Sequence, residues 1–327
     1  MKVLLTGGSG FLGSHVAEQL TEAGHSVRAL VRASSDTRFL RSLSGVELAV
    51  GGVEDAEAVR AAMEGAEAVI HAAGLVKARG PAEFARVNAE GTGNLLQAAI
   101  AQGGIRRFVL VSSLAAVGPS VDGRPVSVES APGPVTHYGR SKLSAERLAL
   151  EVADRLPVTI LRPSLIYGPR DRETLAFFKS VKTGVLPYLG DGKNTLSVVY
   201  GADCGRACML ALTAVVPSGS AYFVDDGQIY VWREMLSELE RAMGKKAFLR
   251  VAIPFGVARG VAVGVETFGK LTGRAVMFTR DKLNELAQPN WVCESTAARK
   301  DLGWAPRVGW AEGVRETATW YREAGWL

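Results

Sequence analysis

The chain has 327 residues, of which 47% are hydrophobic and 22% are charged, a composition that excludes disorder and is ordinary for a globular protein. Its formal net charge of +5 comes from 38 basic and 33 acidic residues that are interspersed along the chain, so nucleic acid is not expected as a partner. The three cysteines are too few for a disulfide framework and lack neighbouring histidines, so no metal site is predicted.

The first half of the chain alternates short β-branched runs with amphipathic stretches. Helical patterns lie near residues 12–23, 36–43, 55–63, 82–101 and 137–154. This alternation predicts an α/β fold with a doubly wound parallel sheet, a Rossmann domain over residues 1–170. The strands are predicted at Val3–Thr6, Ser26–Val31, Val46–Val50, Ala68–His71, Arg107–Ser112 and Val158–Leu161.

The pattern changes after Leu161. The segment Arg162–Arg172 holds two prolines and a glycine, which predicts a loop leaving the sheet. We interpret residues 171–327 as a smaller mixed substrate-binding lobe, in which residues 195–225 return to the core sheet. Its predicted elements are a helix near 172–182, a turn-rich patch at Leu189–Asn194, a strand at Leu196–Tyr200, and helices near 203–214 and 311–324.

The apolar stretch Phe255–Phe268 contains Arg259 and Glu266 and is shorter than the ~20 residues that span a bilayer. It predicts a helix that covers a hydrophobic substrate pocket or joins the core, and no integral membrane span; peripheral contact with a membrane stays open. The chain opens directly on a strand pattern without a signal peptide, so a cytoplasmic location is expected.

The first predicted strand runs into a G-x-x-G-x-x-G pattern, Gly7, Gly10 and Gly13, and a helical pattern follows. In a βαβ unit such glycines permit a tight turn, close approach of backbone to a pyrophosphate and close helix packing, while the helix N-terminus offers free N–H groups. A purely structural turn is the alternative. The strand–loop–helix context favours a dinucleotide site that includes Phe11 and Leu12.

The end of the second strand bears on the choice of nicotinamide cofactor. A carboxylate there would bind the ribose hydroxyls of NAD, but the sequence places Arg32 at this point and follows it with Ser34 and Ser35. Arg32 with either serine could bind a 2′-phosphate, which favours NADP(H) and leaves NAD possible. A solvated loop arginine is the competing interpretation.

Tyr138 and Lys142 are spaced i, i+4 at the start of a helical pattern and share one face. A neighbouring ammonium favours phenolate and lowers a tyrosine pKa from its usual value of ~10. Such pairs arise often by chance, but this one follows the fifth strand, which ends at Ser112-Ser113, where Rossmann sheets build their sites. The serines could instead satisfy backbone groups, and Asn88 and Thr92 could be ordinary polar residues on a helix surface.

Together these motifs resemble the extended short-chain dehydrogenases/reductases, also described as the NAD-dependent epimerase/dehydratase family. The resemblance covers essentially the whole chain. It is carried by the glycine loop, His71–Ala73, Val87–Thr92, Val111–Ser113 with Gly118, Tyr138–Lys142, Leu161–Pro163, Tyr167–Pro169 and Asp301–Pro306.

The resemblance implies roles for these residues. Tyr138 would be the general acid/base on the substrate oxygen, Lys142 would bind the nicotinamide ribose and depress the pKa of Tyr138, and Ser113 would hydrogen-bond the reacting oxygen. It also implies a homodimer through the helices near 82–101 and 137–154. Further cofactor contacts are expected from Val53, Ala72, Asn88, Pro163 and Ile166.

Three departures from the family pattern narrow the chemistry. Gly51-Gly52-Val53 lacks the acid that often contacts adenine, so backbone groups would have to serve there. Leu114-Ala115 replaces the Asp-Glu pair of the dehydratases, which disfavours loss of water. Leu196-Ser197 replaces an Arg-Asp pair whose arginine holds the phosphates of a sugar nucleotide in the epimerases of the family. Loss of this bidentate arginine contact disfavours a sugar-nucleotide substrate. Substitute cations would have to come from Arg170, Arg172 or Lys193.

With the dehydratase and sugar-nucleotide features missing, the sequence most resembles the branch of dihydroflavonol reductases and 3β-hydroxysteroid dehydrogenases. We therefore expect an NADP(H)-dependent oxidoreductase that reduces a ketone, or oxidises a secondary alcohol, on a small hydrophobic substrate. The alternative is a sugar-nucleotide epimerase with tightly bound NAD. A dinucleotide-sensing regulator is disfavoured, because a sensor need not retain Ser113, Tyr138 and Lys142.

Overall fold

The computed structural model describes all residues from Met1 to Leu327. Its strands, in chain order, are β1 (Lys2–Thr6), β2 (Ser26–Val31), β3 (Val46–Val50), β4 (Ala68–His71), β5 (Phe108–Val111), β6 (Val158–Pro163), β7 (Leu165–Tyr167), β8 (Val185–Leu189), β9 (Thr195–Leu196), β10 (Val198–Tyr200), β11 (Ser220–Val224), β12 (Tyr230–Val231), β13 (Leu249–Ile253) and β14 (Asn290–Trp291).

A short π-helical segment, Ala85–Glu90, interrupts the helices between α4 and α5. The α-helices are α1 (Phe11–Glu22), α2 (Arg38–Ser42), α3 (Ala56–Met63), α4 (Pro81–Phe84), α5 (Gly91–Gln102), α6 (Leu114–Val117), α7 (His137–Leu150), α8 (Leu175–Thr183), α9 (Gly201–Thr213), α10 (Trp232–Met243), α11 (Phe255–Thr272), α12 (Arg280–Leu286), α13 (Thr296–Leu302) and α14 (Trp310–Glu323).

The central sheet has seven parallel strands in the order β11-β6-β5-β4-β1-β2-β3. Strands β4, β5 and β6 are buried along their whole length, because helices cover both faces of the sheet at these central strands. Helices α1 and α9 pack on one face, and α3, α5 and α7 contribute to the core on the other. The predicted doubly wound Rossmann fold is confirmed.

The strand order reverses between β1 and β4, which lie side by side. Ligands of such sheets bind in the crevice outside the carboxyl ends of the strands at this reversal. The glycine loop follows β1, and Ala72 and Ala73 follow β4. The fold therefore brings two of the predicted motifs to one crevice.

Two local predictions were wrong. The segment 162–172 is not simply a loop, since β6 extends to Pro163 and β7 follows it. The predicted strand 196–200 divides at Ser197, whose N–H donates to the Trp291 carbonyl, so β9 and β10 join different sheets. The predicted helix near 82–101 is confirmed, since α4, the π-helical segment that holds Asn88 and α5 follow one another without a gap.

The remaining small sheets pair β10 with β7, β12 with β9 and β14, and β13 with β8. A third hydrophobic cluster, which includes Tyr167, Phe178, Leu186, Trp310 and Tyr321, joins several of these elements. It packs strands of the small sheets against α8, α10 and α14. Strand β11, by contrast, pairs with β6 at the edge of the central sheet.

Helix α11 packs on a narrow stripe of small residues. Ala258, Ala262 and Gly269 are its buried positions, and Leu283 of α12 packs against them. No helix in the chain combines the length and the hydropathy that crossing a membrane requires. The three cysteines are buried and unpaired.

Candidate active site

The glycine loop between β1 and α1 packs so tightly that side chains are excluded from it. Gly7 has a φ of 75°, and a Cβ atom there would lie 2.6 Å from the Ala73 nitrogen. A Cβ atom at Gly13 would collide with the Gly7 carbonyl. Gly10 precedes the first residue of α1 without a side-chain cap, so helix N–H groups remain available to an anion. This cradle fits a dinucleotide pyrophosphate.

Phe11 and Leu12 open helix α1. The Phe11 ring makes an edge contact with His15, with ring centroids 5.4 Å apart, and Leu12 is half-buried against the core. Both side chains anchor the helix rather than line the loop. Any contact of these two residues with a dinucleotide would therefore come from their backbone N–H groups.

The end of β2 carries free positive charge. Arg32 is exposed and has no ion pair or side-chain hydrogen bond, and it lines a pocket of about 510 Å³ with Ser35, Thr37 and Arg41. Ser34 is exposed beside this pocket and does not line it. Arg41, which sequence reasoning missed, donates to the Thr37 hydroxyl at 3.2 Å. The residues present fit a phosphate on the adenosine ribose.

A buried polar chain crosses the crevice and ends at Asn88. The Thr6 hydroxyl lies 2.7 Å from His71 Nδ1, and His71 Nε2 lies 2.9 Å from the Thr92 hydroxyl. Thr92 in turn donates to the Asn88 carbonyl at 2.7 Å. Burial lowers the pKa of His71 to about 3, so the imidazole is neutral. Thr92, which could have been a surface group, is fully buried.

Asn88 holds the loop that follows β4. Its side-chain oxygen Oδ1 accepts from the Leu75 N–H at 2.7 Å, and its side-chain amide nitrogen donates to the Leu75 carbonyl and to the Ser141 hydroxyl. A Cβ atom at Gly74 would lie 3.3 Å from Asn88 Oδ1 and 3.7 Å from Lys142 Nζ. The structure thus places Asn88 next to Lys142, although its amide is already engaged within the chain.

Tyr138 and Ser113 come together at the carboxyl end of β5. Ser113 precedes α6, where its hydroxyl accepts from the Ala115 N–H at 3.1 Å, and its side chain lies close enough to Tyr138 to influence the tyrosine pKa. The Tyr138 ring also packs beside Phe84, with centroids 6.2 Å apart. Burial raises the pKa of Tyr138 to about 12; the nearby Ser113 side chain lowers it, and the charge of Glu285 adds to the rise.

Lys142 lies one helical turn after Tyr138 and is buried. Its ammonium donates to the Val111 carbonyl at 2.6 Å, and burial lowers its pKa to about 8. Burial has the largest effect on the pKa of Tyr138, and the only side chain that lowers this pKa is Ser113. The depression of the Tyr138 pKa that was expected from Lys142 is therefore not seen.

The other predicted cofactor residues lie around the same crevice. Val53 is buried against Gly91, and its carbonyl accepts from Asn94 at 3.0 Å. The Ala72 N–H donates to the Thr6 carbonyl as the crevice begins. Pro163 is the buried last residue of β6, and Ile166 in β7 packs against the core.

Tyr138 opens onto a pocket of about 780 Å³. The segment after β4, the start of α7, and helices α11 and α12 surround it. Only six of its 24 lining residues are hydrophobic, so the expectation that α11 covers a hydrophobic pocket was wrong. The reason is the orientation of the helix, which turns Arg259, Glu266 and Lys270 toward the pocket.

The three cations proposed as substitute phosphate anchors lie elsewhere. Arg170 bonds to Ser14, His15 and Glu18 of α1, Arg172 stacks on the Trp326 ring, and Lys193 pairs with Asp191 on the surface. None of them lines the pocket beside Tyr138.

Two acidic residues of α12 were missed by sequence reasoning. Asp281 accepts from the His137 N–H at 3.0 Å and so binds the start of α7, and Glu285 faces Tyr138 closely enough to influence its pKa. Nothing in the local sequence marks them, because α12 reaches the site only through the tertiary fold. The approach of Asp281 to a helix N-terminus is electrostatically favourable.

With a dinucleotide cradle, a buried lysine and a tyrosine–serine pair at the ends of a Rossmann sheet, the fold and site define a nicotinamide-dependent enzyme. The chain belongs to the NAD-dependent epimerase/dehydratase family, whose sequence model matches residues 3–224.

Relatives with different activities align over nearly the whole chain. It is 34% identical to a ceramide reductase of Caulobacter vibrioides over 99% of this chain and 96% of that protein. It is 32% identical to a 2-alkyl-3-oxoalkanoate reductase of Stenotrophomonas maltophilia over 96% and 98% of the two chains. The crystal structure of a UDP-glucose 4-epimerase from Thermotoga maritima with UDP-glucose superposes with a TM-score of 0.81, at 25% identity over 99% of each chain.

Proposed function

We propose that this protein is an NADP(H)-dependent reductase of a ketone, or the corresponding secondary-alcohol dehydrogenase. The observation that carries the proposal is the placement of the Ser113 side chain close to Tyr138, which itself lines the pocket. With a pKa of about 12, Tyr138 is protonated at neutral pH, which is the form that donates a proton to a reduced carbonyl oxygen.

A bound nicotinamide dinucleotide supplies the hydride in this chemistry. Tyr138 donates its phenolic proton to the carbonyl oxygen, and the Ser113 hydroxyl holds that oxygen in place. Lys142 presents a buried ammonium near Asn88, where it would hold the nicotinamide ribose. The Phe84 ring shields Tyr138 on one side and limits the access of water.

The choice of NADP(H) over NAD is part of the proposal. It is supported by the unpaired charge of Arg32 and by the Ser35 and Arg41 side chains that line the same pocket. We also assign cofactor binding to residues 1–170 and substrate binding to residues 171–327. Of residues 195–225, which were expected to return to the core sheet, only β11 joins it, because β9 and β10 pair in the small sheets. A homodimer and a cytoplasmic location stay predictions.

A sugar-nucleotide epimerase is the second candidate. The basic lining of the pocket and the likeness to the Thermotoga epimerase favour it. An epimerase returns the hydride to its substrate, so it would consume no cofactor overall and would be purified with nucleotide bound.

The test follows the absorbance of NADPH and NADH with a panel of aliphatic, aromatic and acidic ketones. We expect stoichiometric oxidation of NADPH with at least one class of ketone, and slower oxidation of NADH. A protein that oxidised neither cofactor with any ketone, yet interconverted UDP-glucose and UDP-galactose, would contradict the proposal and establish the epimerase.

A further inference from the structure

The pocket beside Tyr138 carries an excess of positive charge. Three acidic side chains line it, Glu266, Asp281 and Glu285, against seven basic ones. The basic residues are Lys77, Arg79, Arg259, Lys270, Arg274, Arg280 and Lys282.

Each acidic residue of the pocket already has a basic partner. Glu266 accepts from the Arg280 guanidinium at 2.8 Å, Glu285 pairs with Lys282, and Asp281 lies 3.7 Å from Arg140. These ion pairs leave no acid in the pocket free to neutralise a further cation.

Two of the remaining basic residues are also paired, since Lys77 contacts Glu173 and Arg79 contacts Glu83. Arg259, Lys270 and Arg274 have neither an ion pair nor a side-chain hydrogen bond within the chain. The excess charge of the pocket therefore comes from one helix, α11, and the residue just beyond its Gly273 cap.

Helix α11 exposes apolar as well as charged side chains, and the two kinds lie on different sides of the helix. Arg259 and Lys270 point into the pocket, whereas Val257, Val261 and Phe268 are more than half exposed on another side of the helix. Solvated charges on a surface helix normally lie on the face turned to water. A solvation role alone does not explain why the charges face the pocket and the apolar residues do not.

We propose that Arg259, Lys270 and Arg274 bind the acid group, a carboxylate or a phosphate, of the ketone that Tyr138 protonates. This inference rests on the proposed function and specifies its substrate class: an oxo acid or an oxo phosphate. Arginine and lysine bind such anions through charge-assisted hydrogen bonds, which are roughly twice as strong as neutral ones. The ketone end lies at Tyr138, and the acid end lies against α11.

Binding, rather than turnover, tests the substrate class. Calorimetry of the protein with saturating NADP⁺ would measure the affinities of octanoate, octyl phosphate and octanol, each of which is unbranched and has eight carbon atoms. We expect the preferred anion to bind at least tenfold more tightly than octanol, and the better of the two anions identifies the acid group. Raising the salt concentration should reduce this difference.

The decisive variant replaces the three cations by glutamine, R259Q/K270Q/R274Q. It should bind octanoate, octyl phosphate and octanol with affinities within a factor of about three. The matched control, K300Q/R315Q, removes two exposed charges outside the pocket and should retain the preference for an anion. An unchanged melting temperature and unchanged NADP⁺ affinity would show that both variants are folded.

Equal binding of anion and alcohol by the unmodified protein would overturn the inference, and so would a preference for the anion that survives in R259Q/K270Q/R274Q. Either result leaves the proposed reductase untouched, because that function is tested by NADPH oxidation with ketones. Conversely, a protein that failed to oxidise NADPH with any ketone could still bind an anion more tightly than octanol, so the two proposals fail independently.

Discussion

The crevice of the central sheet and the α11–α12 side of the pocket hold their functional groups in different ways. In the crevice, Asn88 and Lys142 are buried, and each donates to or accepts from groups of neighbouring elements. On α11, Arg259 and Lys270 are exposed and unpaired, and the helix rests on a narrow stripe of small residues.

This difference indicates a division of roles. Chemistry that depends on the positions of a proton and a hydride requires side chains held within a fraction of an ångström, which burial and hydrogen bonding provide. Recognition of a charged group tolerates more freedom, because Coulomb attraction changes slowly with distance. We therefore expect substitutions in the crevice to have large effects and substitutions on α11 to have graded ones.

The largest effect is expected from Tyr138→Phe. Removing the proton donor should lower kcat by about 10²–10⁴-fold, which is typical of general acid catalysis, while NADPH binding stays unchanged. Stopped-flow turnover and cofactor titration measure the two quantities. Tyr188→Phe, which removes a hydroxyl from β8 outside the pocket, should leave both unchanged; substantial turnover by the Tyr138 variant would exclude its role as acid.

Gly7→Ala tests the packing of the cofactor loop. Left-handed backbone strain of about 1–2 kcal/mol and overpacking of about 1–3 kcal/mol should lower the free energy of unfolding and abolish dinucleotide binding. Gly65→Ala is the control, since Gly65 has a φ of 69° but no atom within 4 Å of the added Cβ. In urea unfolding, Gly65→Ala should lose only the stability that corresponds to the backbone strain. If both variants lost the same free energy of unfolding, Gly7 would not be crowded.

Arg32→Ala tests cofactor choice. Loss of a charge-assisted contact should weaken NADPH binding by about tenfold or more, with NADH affinity unchanged, as measured by fluorescence titration. The control is Arg38→Ala, which removes an exposed arginine that is paired with Asp36. If the Arg32 variant lost affinity for both cofactors equally, the preference for a 2′-phosphate would be refuted.

Lys142 should set the alkaline limit of activity. Because burial lowers its pKa to about 8, the ammonium loses its proton as the pH rises through that value, well below the usual lysine range. We expect kcat/KM to fall about tenfold between pH 7 and pH 9, as one deprotonation requires. The Lys142→Met variant should be weakly active, and its kcat/KM should not fall between pH 7 and pH 9. If the fall persisted in this variant, the titration would belong to another group.

The smallest effect is expected on the outer face of α11. Leu271 is 83% exposed, so Leu271→Ala should change the free energy of unfolding by less than about 0.5 kcal/mol. The same substitution at Leu5, which is fully buried in β1, should cost about 2–5 kcal/mol. Thermal and urea unfolding provide both numbers, and a large loss at Leu271 would indicate that this face is covered in solution.

Much of the crevice could be predicted because its signals are local. The glycine spacing, the strand ends and the Tyr138–Lys142 pair lie within short segments whose positions follow from alternating strands and helices. Ser113 and Tyr138 were expected together, and the fold brings their side chains close to each other. The pKa of Tyr138 could not be predicted, because burial depends on what packs over the ring, and burial raises this pKa where a neighbouring ammonium was expected to lower it.

The character of the pocket was decided by tertiary structure alone. Helix α11 has two apolar stripes, and the sequence does not show which one faces the core. Ala258 and Ala262 are buried against Leu283 of α12, because their small side chains allow that helix to approach closely. This orientation exposes Val261 and Phe268 and places Arg259 at the pocket. The amino-acid sequence determined the family, the cofactor cradle and the tyrosine that we propose as the proton donor, since each depends on short-range patterns. The charge beside that tyrosine depends on how one helix is rotated about its axis, which only packing between distant segments defines.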